Sequence, residues 1–223
     1  MDNNLEKRLI EEIKNNNLSL KDITERTESI CLAAIDVDPE SIRYVEEQTD
    51  KLCTAAVNKD GLVLRFIKDK NEKLCLEAVK QNGYALQYIN NQTESVIIEA
   101  LKQEGHALEY VKRQNEHLCL IAVRKNGYAL HYVKDQTTRV CLAAIKQNIN
   151  ALNYVNFKSE RMCISVIQFL HSNSINDKET FNRIITTFNT KRIRDIYTKY
   201  DIWKYVNFNE LNDANLNKYS MVL

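Results

Sequence analysis

The stretch Asn71-Glu72-Lys73-Leu74-Cys75-Leu76-Glu77-Ala78-Val79-Lys80-Gln81-Asn82-Gly83-Tyr84-Ala85-Leu86-Gln87-Tyr88-Ile89 decides the fold, because it recurs with a fixed period. The cysteines show the period first. Cys31, Cys53 and Cys75 are 22 residues apart, Cys119, Cys141 and Cys163 likewise, and Cys119 follows Cys75 by 44. Ile97 fills the skipped place. All four glycines, Gly61, Gly83, Gly105 and Gly127, keep the same interval, and the single proline, Pro39, stands one period before Gly61. Seven units therefore open at Thr27, Thr49, Asn71, Thr93, Asn115, Thr137 and Ser159. A degenerate unit precedes them: Leu9, Ile10, Ile13, Leu20 and Ile23 stand one period before Cys31, Leu32, Ile35, Ile42 and Val45.

Within the unit, the apolar residues Leu74, Cys75, Ala78 and Val79 fall at i, i+1, i+4 and i+5, which is one stripe of a helix and not the alternation of a strand. The opening Thr, Asn or Ser has a side chain that accepts the free N–H groups of a first turn. The acids that follow (Glu28, Asp50, Glu72, Glu94, Glu116, Glu160) suit the positive end of the helix dipole. Gly83 and its equivalents are expected to end the first helix in the left-handed conformation, with Tyr84 folding back on Val79 and Tyr128 on Val123. At Asp38-Pro39 the corner is made differently, Asp capping and Pro opening the second helix. That second helix is expected to bury Ala85, Leu86, Tyr88 and Ile89.

One such unit cannot bury its own stripe, so units must stack. The fold expected is all-α, an α-solenoid of 22-residue helix–turn–helix repeats with helical N- and C-terminal caps. Its parts are a degenerate N-terminal cap at 1–26, the solenoid at 27–168, and a C-terminal helical cap and tail at 169–223. In the last part Phe181, Ile184, Ile185 and Phe188 share one helical face.

The phrase at Leu74 to Glu94, repeated with changes at Leu118 to Thr137, resembles the domain-of-unknown-function repeats abundant in giant amoeba-infecting viruses of the mimivirus kind. The resemblance covers roughly residues 27–167. It implies a helical repeat protein of viral origin made inside an amoebal host, and it carries over no activity and no functional residues. The chain departs from the phrase at Ile149 and His171, where Gly is expected.

Composition agrees with a folded helical protein of 223 residues: 44% hydrophobic, 27% charged, four Gly and one Pro. The formal net charge of +1 supplies no global field for nucleic acid or anionic membrane. No stretch is long and apolar enough to span a bilayer. The first residues, Met1 to Arg8, lack the apolar core of a secretory signal. Six cysteines in equivalent repeat positions stand too far apart for disulfides and have no Cys-x-x-Cys pairing for metal. They are expected to be buried thiols in a reducing, intracellular compartment. No metal or cofactor is expected.

Three ladders are candidates for function. The aromatic ladder Tyr44, Phe66, Tyr88, Tyr110, Tyr132 and Tyr154 suits base stacking or core packing, and Phe66, without a hydroxyl, favours packing. The basic ladder Lys80, Lys102, Arg124 and Lys146 suits a phosphate backbone or an acidic partner, or a solvated helix end. A second basic row is Lys68, Lys112 and Lys134. The third candidate is the slot Arg43, Arg65, Gln87, Glu109, His131 and Asn153, whose changing side chains at fixed spacing suit contact with a protein partner. Nucleic-acid binding is the alternative. Catalysis has no support in the sequence: there is no phosphate loop, no His-Glu-x-x-His, no nucleophile elbow, and the four histidines share no repeat position. The expectation is a non-catalytic scaffold for protein–protein interaction.

Overall fold

A computed structural model of the chain describes residues 2–156, 159–172 and 184. Among the described residues eight α-helices follow one another: α1 (Asn3–Lys14), α2 (Glu28–Val37), α3 (Asp50–Lys59), α4 (Glu72–Gln81), α5 (Glu94–Gln103), α6 (Glu116–Lys125), α7 (Thr138–Gln147) and α8 (Glu160–Ser172). A short 3-10 helix follows each of the first seven: Leu20–Asp22, Pro39–Tyr44, Gly61–Phe66, Gly83–Tyr88, Gly105–Tyr110, Gly127–Tyr132 and Ile149–Tyr154. Among the described residues there is no strand. Each α-helix packs on the next α-helix, and from Pro39–Tyr44 to Ile149–Tyr154 each 3-10 segment packs on the next, so the chain is a two-layered α-solenoid.

The opening residues do what their chemistry implies. Thr27, Thr49, Asn71, Asn115, Thr137 and Ser159 each accept a hydrogen bond from the backbone N–H three residues on. The core is continuous along the stack. In one unit Leu74, Cys75, Ala78, Val79, Ala85, Leu86 and Ile89 are buried, and their equivalents repeat from Ile30 to Ile167. A buried Leu, Ile or Val contributes about 1.5–3 kcal/mol, and most of that burial exists only when a neighbouring unit is present. The degenerate first unit joins the same core through Ile13, Leu20 and Ile23. Of the expected C-terminal cap, only 169–172 and Ile184 are described. Ile184 is buried, whereas Phe181, Ile185 and Phe188 lie outside the described residues.

The inter-helix corner differs from expectation in two ways. First, no glycine has a positive φ. The α-helix ends because Asn82, or its equivalent, turns extended (φ −150°, ψ 112°). The same side chain then caps the 3-10 segment, Asn82 Oδ1 accepting the N–H of Tyr84 at 3.0 Å. Asp38, Asp60, Asn126 and Asn148 do likewise. Glycine is needed for space. A Cβ on Gly83 would lie 2.6 Å from the Ala100 carbonyl oxygen, one on Gly105 2.6 Å from that of Ala122, and one on Gly127 2.6 Å from that of Ala144. The glycine thus marks where one unit's backbone touches the C-terminal turn of the next helix. Second, the second helix is a six-residue 3-10 segment, closed by Ile89 N–H to the Leu86 carbonyl at 3.1 Å. Tyr84 and Tyr128 meet the next unit edge-on, Tyr84 on Tyr110 and Tyr128 on Tyr154.

Candidate functional site

The two layers present two faces. The slot residues Arg43, Arg65, Gln87, Glu109, His131 and Asn153 all lie on the 3-10 layer, one per segment, and all are exposed. Each precedes a half-buried member of the aromatic ladder. The slot is differentiated along its length. At the N-terminal end the Arg43 guanidinium lies 4.3 Å from the Phe66 ring centre and that of Arg65 lies 4.6 Å from it. Both arginines pair with Glu40. Gln87 donates to the Tyr84 carbonyl at 3.0 Å. Further on, His131 sits edge-on to Tyr132 and Tyr154, with centroids 5.1 and 5.2 Å apart. Burial, and then the charges of Glu104 and Glu109 among others, push the Tyr84 phenol upward; burial and Glu109 do the same at Tyr110.

The aromatic ladder is packing with exposed rims. His106 meets Tyr132 edge-on at 5.8 Å, continuing the series made by Tyr84–Tyr110 and Tyr128–Tyr154. Such contacts join the units opening at Asn71, Thr93, Asn115 and Thr137 in series.

The two basic rows separate. Lys68 and Lys112 donate across the unit boundary, Lys68 Nζ to the Glu46 carbonyl at 2.9 Å and Lys112 Nζ to that of Asn90 at 2.8 Å. These lysines serve the stack. Lys80, Lys102, Arg124 and Lys146 lie exposed on the α layer. Lys146 Nζ stands 5.7 Å from the Phe169 ring centre, while Lys80, Lys102 and Arg124 make no ion pair among the described residues.

The helix-start acids reach forward to the start of the next unit's helix. Glu72 accepts from Thr93 Oγ1 and Ser95 Oγ, both at 2.7 Å, and Glu116 accepts from Thr137 Oγ1 at 2.7 Å. The hydrogen bonds from Ser95 and then Thr93 hold the Glu72 carboxyl below its ordinary range.

Sequence reasoning missed a glutamine ladder. Gln92 Nε2 donates to the carbonyls of Leu86 in its own unit and Tyr110 in the next, at 3.4 and 2.9 Å, and its Oε1 accepts the Lys112 N–H at 3.1 Å. Gln48, Gln114 and Gln136 repeat the pattern. Arg26 holds the Tyr44 carbonyl from the same place. Lys70 occupies the place between Gln48 and Gln92. There a surface depression of about 380 Å³ opens, lined by Lys68, Lys70, Glu72, Cys75 and Asn90 among others. The recurrence of Gln at 48, 92, 114 and 136 was the available signal.

All six cysteines are buried thiols outside any disulfide. The thiols of Cys119 and Cys141 donate to the ladder carboxamides of Gln114 and Gln136, at 3.7 and 3.5 Å. Burial first of all raises the Cys119 thiol to about 11 and the Cys141 thiol to about 12. Among the described residues no three His, Cys, Asp or Glu side chains are grouped to hold a metal ion, and no helix is long and apolar enough to cross a membrane.

No curated protein and no solved structure matches the chain. A family model does, three times, over residues 51–92, 93–138 and 115–160, each match spanning about two units. That model is described as Domain of unknown function (DUF4116), and its repeating matches make the array at 51–160 similar to the repeats of that family.

Proposed function

We propose that this protein is a non-catalytic platform that holds a protein partner along its 3-10 layer, through Arg43, Arg65, Gln87, Glu109, His131 and Asn153. The observation that carries the reading is the division of labour within each unit. Capping residues close the corners within each unit, while ladder glutamines, boundary lysines and aromatics join one unit to the next. The slot is exposed, lies beside half-buried aromatic rims, and changes its chemistry from cationic to acidic to imidazole along one line. Aromatic rims next to varied polar groups are the composition of protein-contact surfaces. The setting proposed is the inside of a cell, in keeping with six buried thiols outside any disulfide. The phrase shared with giant-virus repeats supports a viral protein acting in its host.

The test is capture from nuclease-treated amoebal lysate with the native chain and with a variant carrying Arg65→Ala, Glu109→Ala and His131→Ala. A protein retained by the first and lost by the second supports the platform. Proteins that return only when nuclease is omitted favour the alternative, nucleic acid or another acidic partner on Lys80, Lys102, Arg124 and Lys146.

A further inference from the structure

The α layer carries a second surface of a different kind. In α4 the buried residues Leu74, Cys75, Ala78 and Val79 define the inner side of the helix. Helical geometry then puts Lys73 and Lys80 on the outer crest, with Leu76 and Glu77 on its two shoulders. The crest positions of α3 to α8 are Lys51 and Asn58, Lys73 and Lys80, Ser95 and Lys102, His117 and Arg124, Arg139 and Lys146, Arg161 and Gln168. They include eight Lys or Arg and no carboxylate, in a chain whose net charge is only +1. Lys51 pairs with Glu28, and Arg139 lies 3.6 Å from Glu116. Lys73, Lys80, Lys102 and Arg124 make no ion pair among the described residues.

Between the crests the shoulders of α6 and α7 are wholly apolar (Leu120, Ile121, Leu142, Ala143), whereas those of α4 and α5 each carry one carboxylate, Glu77 and Glu99. Leu76, Ile98, Ile121, Leu142 and Ile164 are half-buried shoulder residues packed on the core. Neighbouring crests are one helix spacing apart, about 8–10 Å. Between α6 and α7 two cationic ridges therefore flank an apolar furrow. A phosphodiester backbone would use the ridges and leave the furrow unused. An acidic amphipathic helix uses both, setting an i, i+3/i+4, i+7 apolar stripe into the furrow and its carboxylates against the ridges.

We propose that the furrow between α6 and α7 docks an acidic amphipathic helical segment of a partner polypeptide, independently of the slot on the 3-10 layer. The acid-free shoulders of α6 and α7 (Leu120, Ile121, Leu142, Ala143), beside His117, Arg124, Arg139 and Lys146, form its centre.

The experiment uses the full chain and three fluorescein-labelled probes read by anisotropy. They are a helical Glu/Leu peptide with one leucine face, a peptide of equal charge with Ser for Leu, and single-stranded oligothymidylate. The Glu/Leu peptide is expected to bind at least about tenfold more tightly than the other two. Binding is expected to fall about tenfold or more in the variant Lys80→Gln, Lys102→Gln, Arg124→Gln, Lys146→Gln, whose circular dichroism checks the fold. Absence of Glu/Leu binding, equal binding of the Ser peptide, tighter binding of oligothymidylate, or full binding by the neutralised variant each overturns the proposal. The variant Glu109→Ala, His131→Ala is expected to bind the Glu/Leu peptide unchanged, so failure of the slot reading and failure of this one are told apart.

Discussion

Gln92 Nε2 lies 2.9 Å from the carbonyl oxygen of Tyr110, eighteen residues on and in the next unit. With the Lys112 N–H returning to its Oε1, one carboxamide closes both a donor and an acceptor of its neighbour's backbone. Repeat proteins owe their stability to nearest-neighbour interfaces, and at those spanned by Gln48, Gln92, Gln114 and Gln136 a polar bond is visible alongside the apolar ones.

At Lys70 that bond is missing, although Gln81 still joins the same two units through the Gly61 N–H at 2.8 Å and the Lys59 carbonyl at 3.2 Å. The junction between the units opening at Thr49 and Asn71 is therefore expected to be softer than a junction that carries the ladder carboxamide. Lys70→Gln places a carboxamide where Leu64, Tyr88 and Asn90 can use it. It should stabilise the chain by about 0.5–1.5 kcal/mol in urea unfolding and slow hydrogen exchange at the Asn90 amide. Gln114→Ala should cost about 1–3 kcal/mol. A destabilising Lys70→Gln contradicts the assignment of the ladder.

Gly105→Ala tests the close approach. An added Cβ meets the Ala122 carbonyl oxygen at 2.6 Å and Asn126 Cβ at 3.0 Å. Because the backbone there is not left-handed, relief must come from moving two units apart. A loss of about 1–3 kcal/mol is expected, and Gly105→Asn should be at least as harmful. Tolerance of Asn together with intolerance of Ala is the behaviour of a left-handed glycine and speaks against the packing account.

Cys75 is buried beside Lys70, which has no carboxamide to offer its thiol. Cys75→Ser puts a hydroxyl where the buried thiol has no hydrogen-bond partner among the described residues, and should cost about 1–3 kcal/mol. Cys75→Val should stay within about 1 kcal/mol of the native chain. Equal melting temperatures for the native and Ser proteins are the adverse result.

The buried thiols also set a pH dependence. Cys119 and Cys141 titrate near 11 and 12 when folded, against an ordinary 9.0. Above pH 9 the unfolded chain releases thiol protons that the folded chain keeps, so alkali favours unfolding. Their contribution is whole below about pH 9 and is lost progressively toward about pH 12. Cys141→Val should flatten the fall in urea midpoint across this window relative to the native protein. Parallel curves argue against a thiol origin.

The period, the α-helices and their caps are legible in the sequence because they rest on short-range chemistry: Thr27 or Asn71 at a helix start, and the Leu74–Val79 stripe. The buried cysteines are legible because Ile97 replaces one of them. The second helix reads as an ordinary helix, since Ala85-Leu86…Tyr88-Ile89 carries an apolar pattern that a 3-10 segment satisfies equally well. Gly83 suggests a backbone conformation, whereas its constraint is a carbonyl in the next unit, at Ala100. The glutamine ladder stays hidden for the same reason: the bonds of Gln92 reach residues 18 and 20 positions on, beyond any local pattern. Of the candidate sites, exposure of the slot and of the Lys80 row follows from helical geometry. That Lys68 and Lys112 serve the stack does not, because their acceptors are backbone carbonyls of another unit.

The most direct measurement is hydrogen–deuterium exchange of the full chain with and without a protein captured from the lysate. The platform account predicts protection concentrated in the 3-10 segments Gly61–Phe66, Gly83–Tyr88, Gly105–Tyr110 and Gly127–Tyr132, abolished by Arg65→Ala, Glu109→Ala and His131→Ala together. Protection confined to the α layer, or an equal footprint in the slot variant, contradicts it.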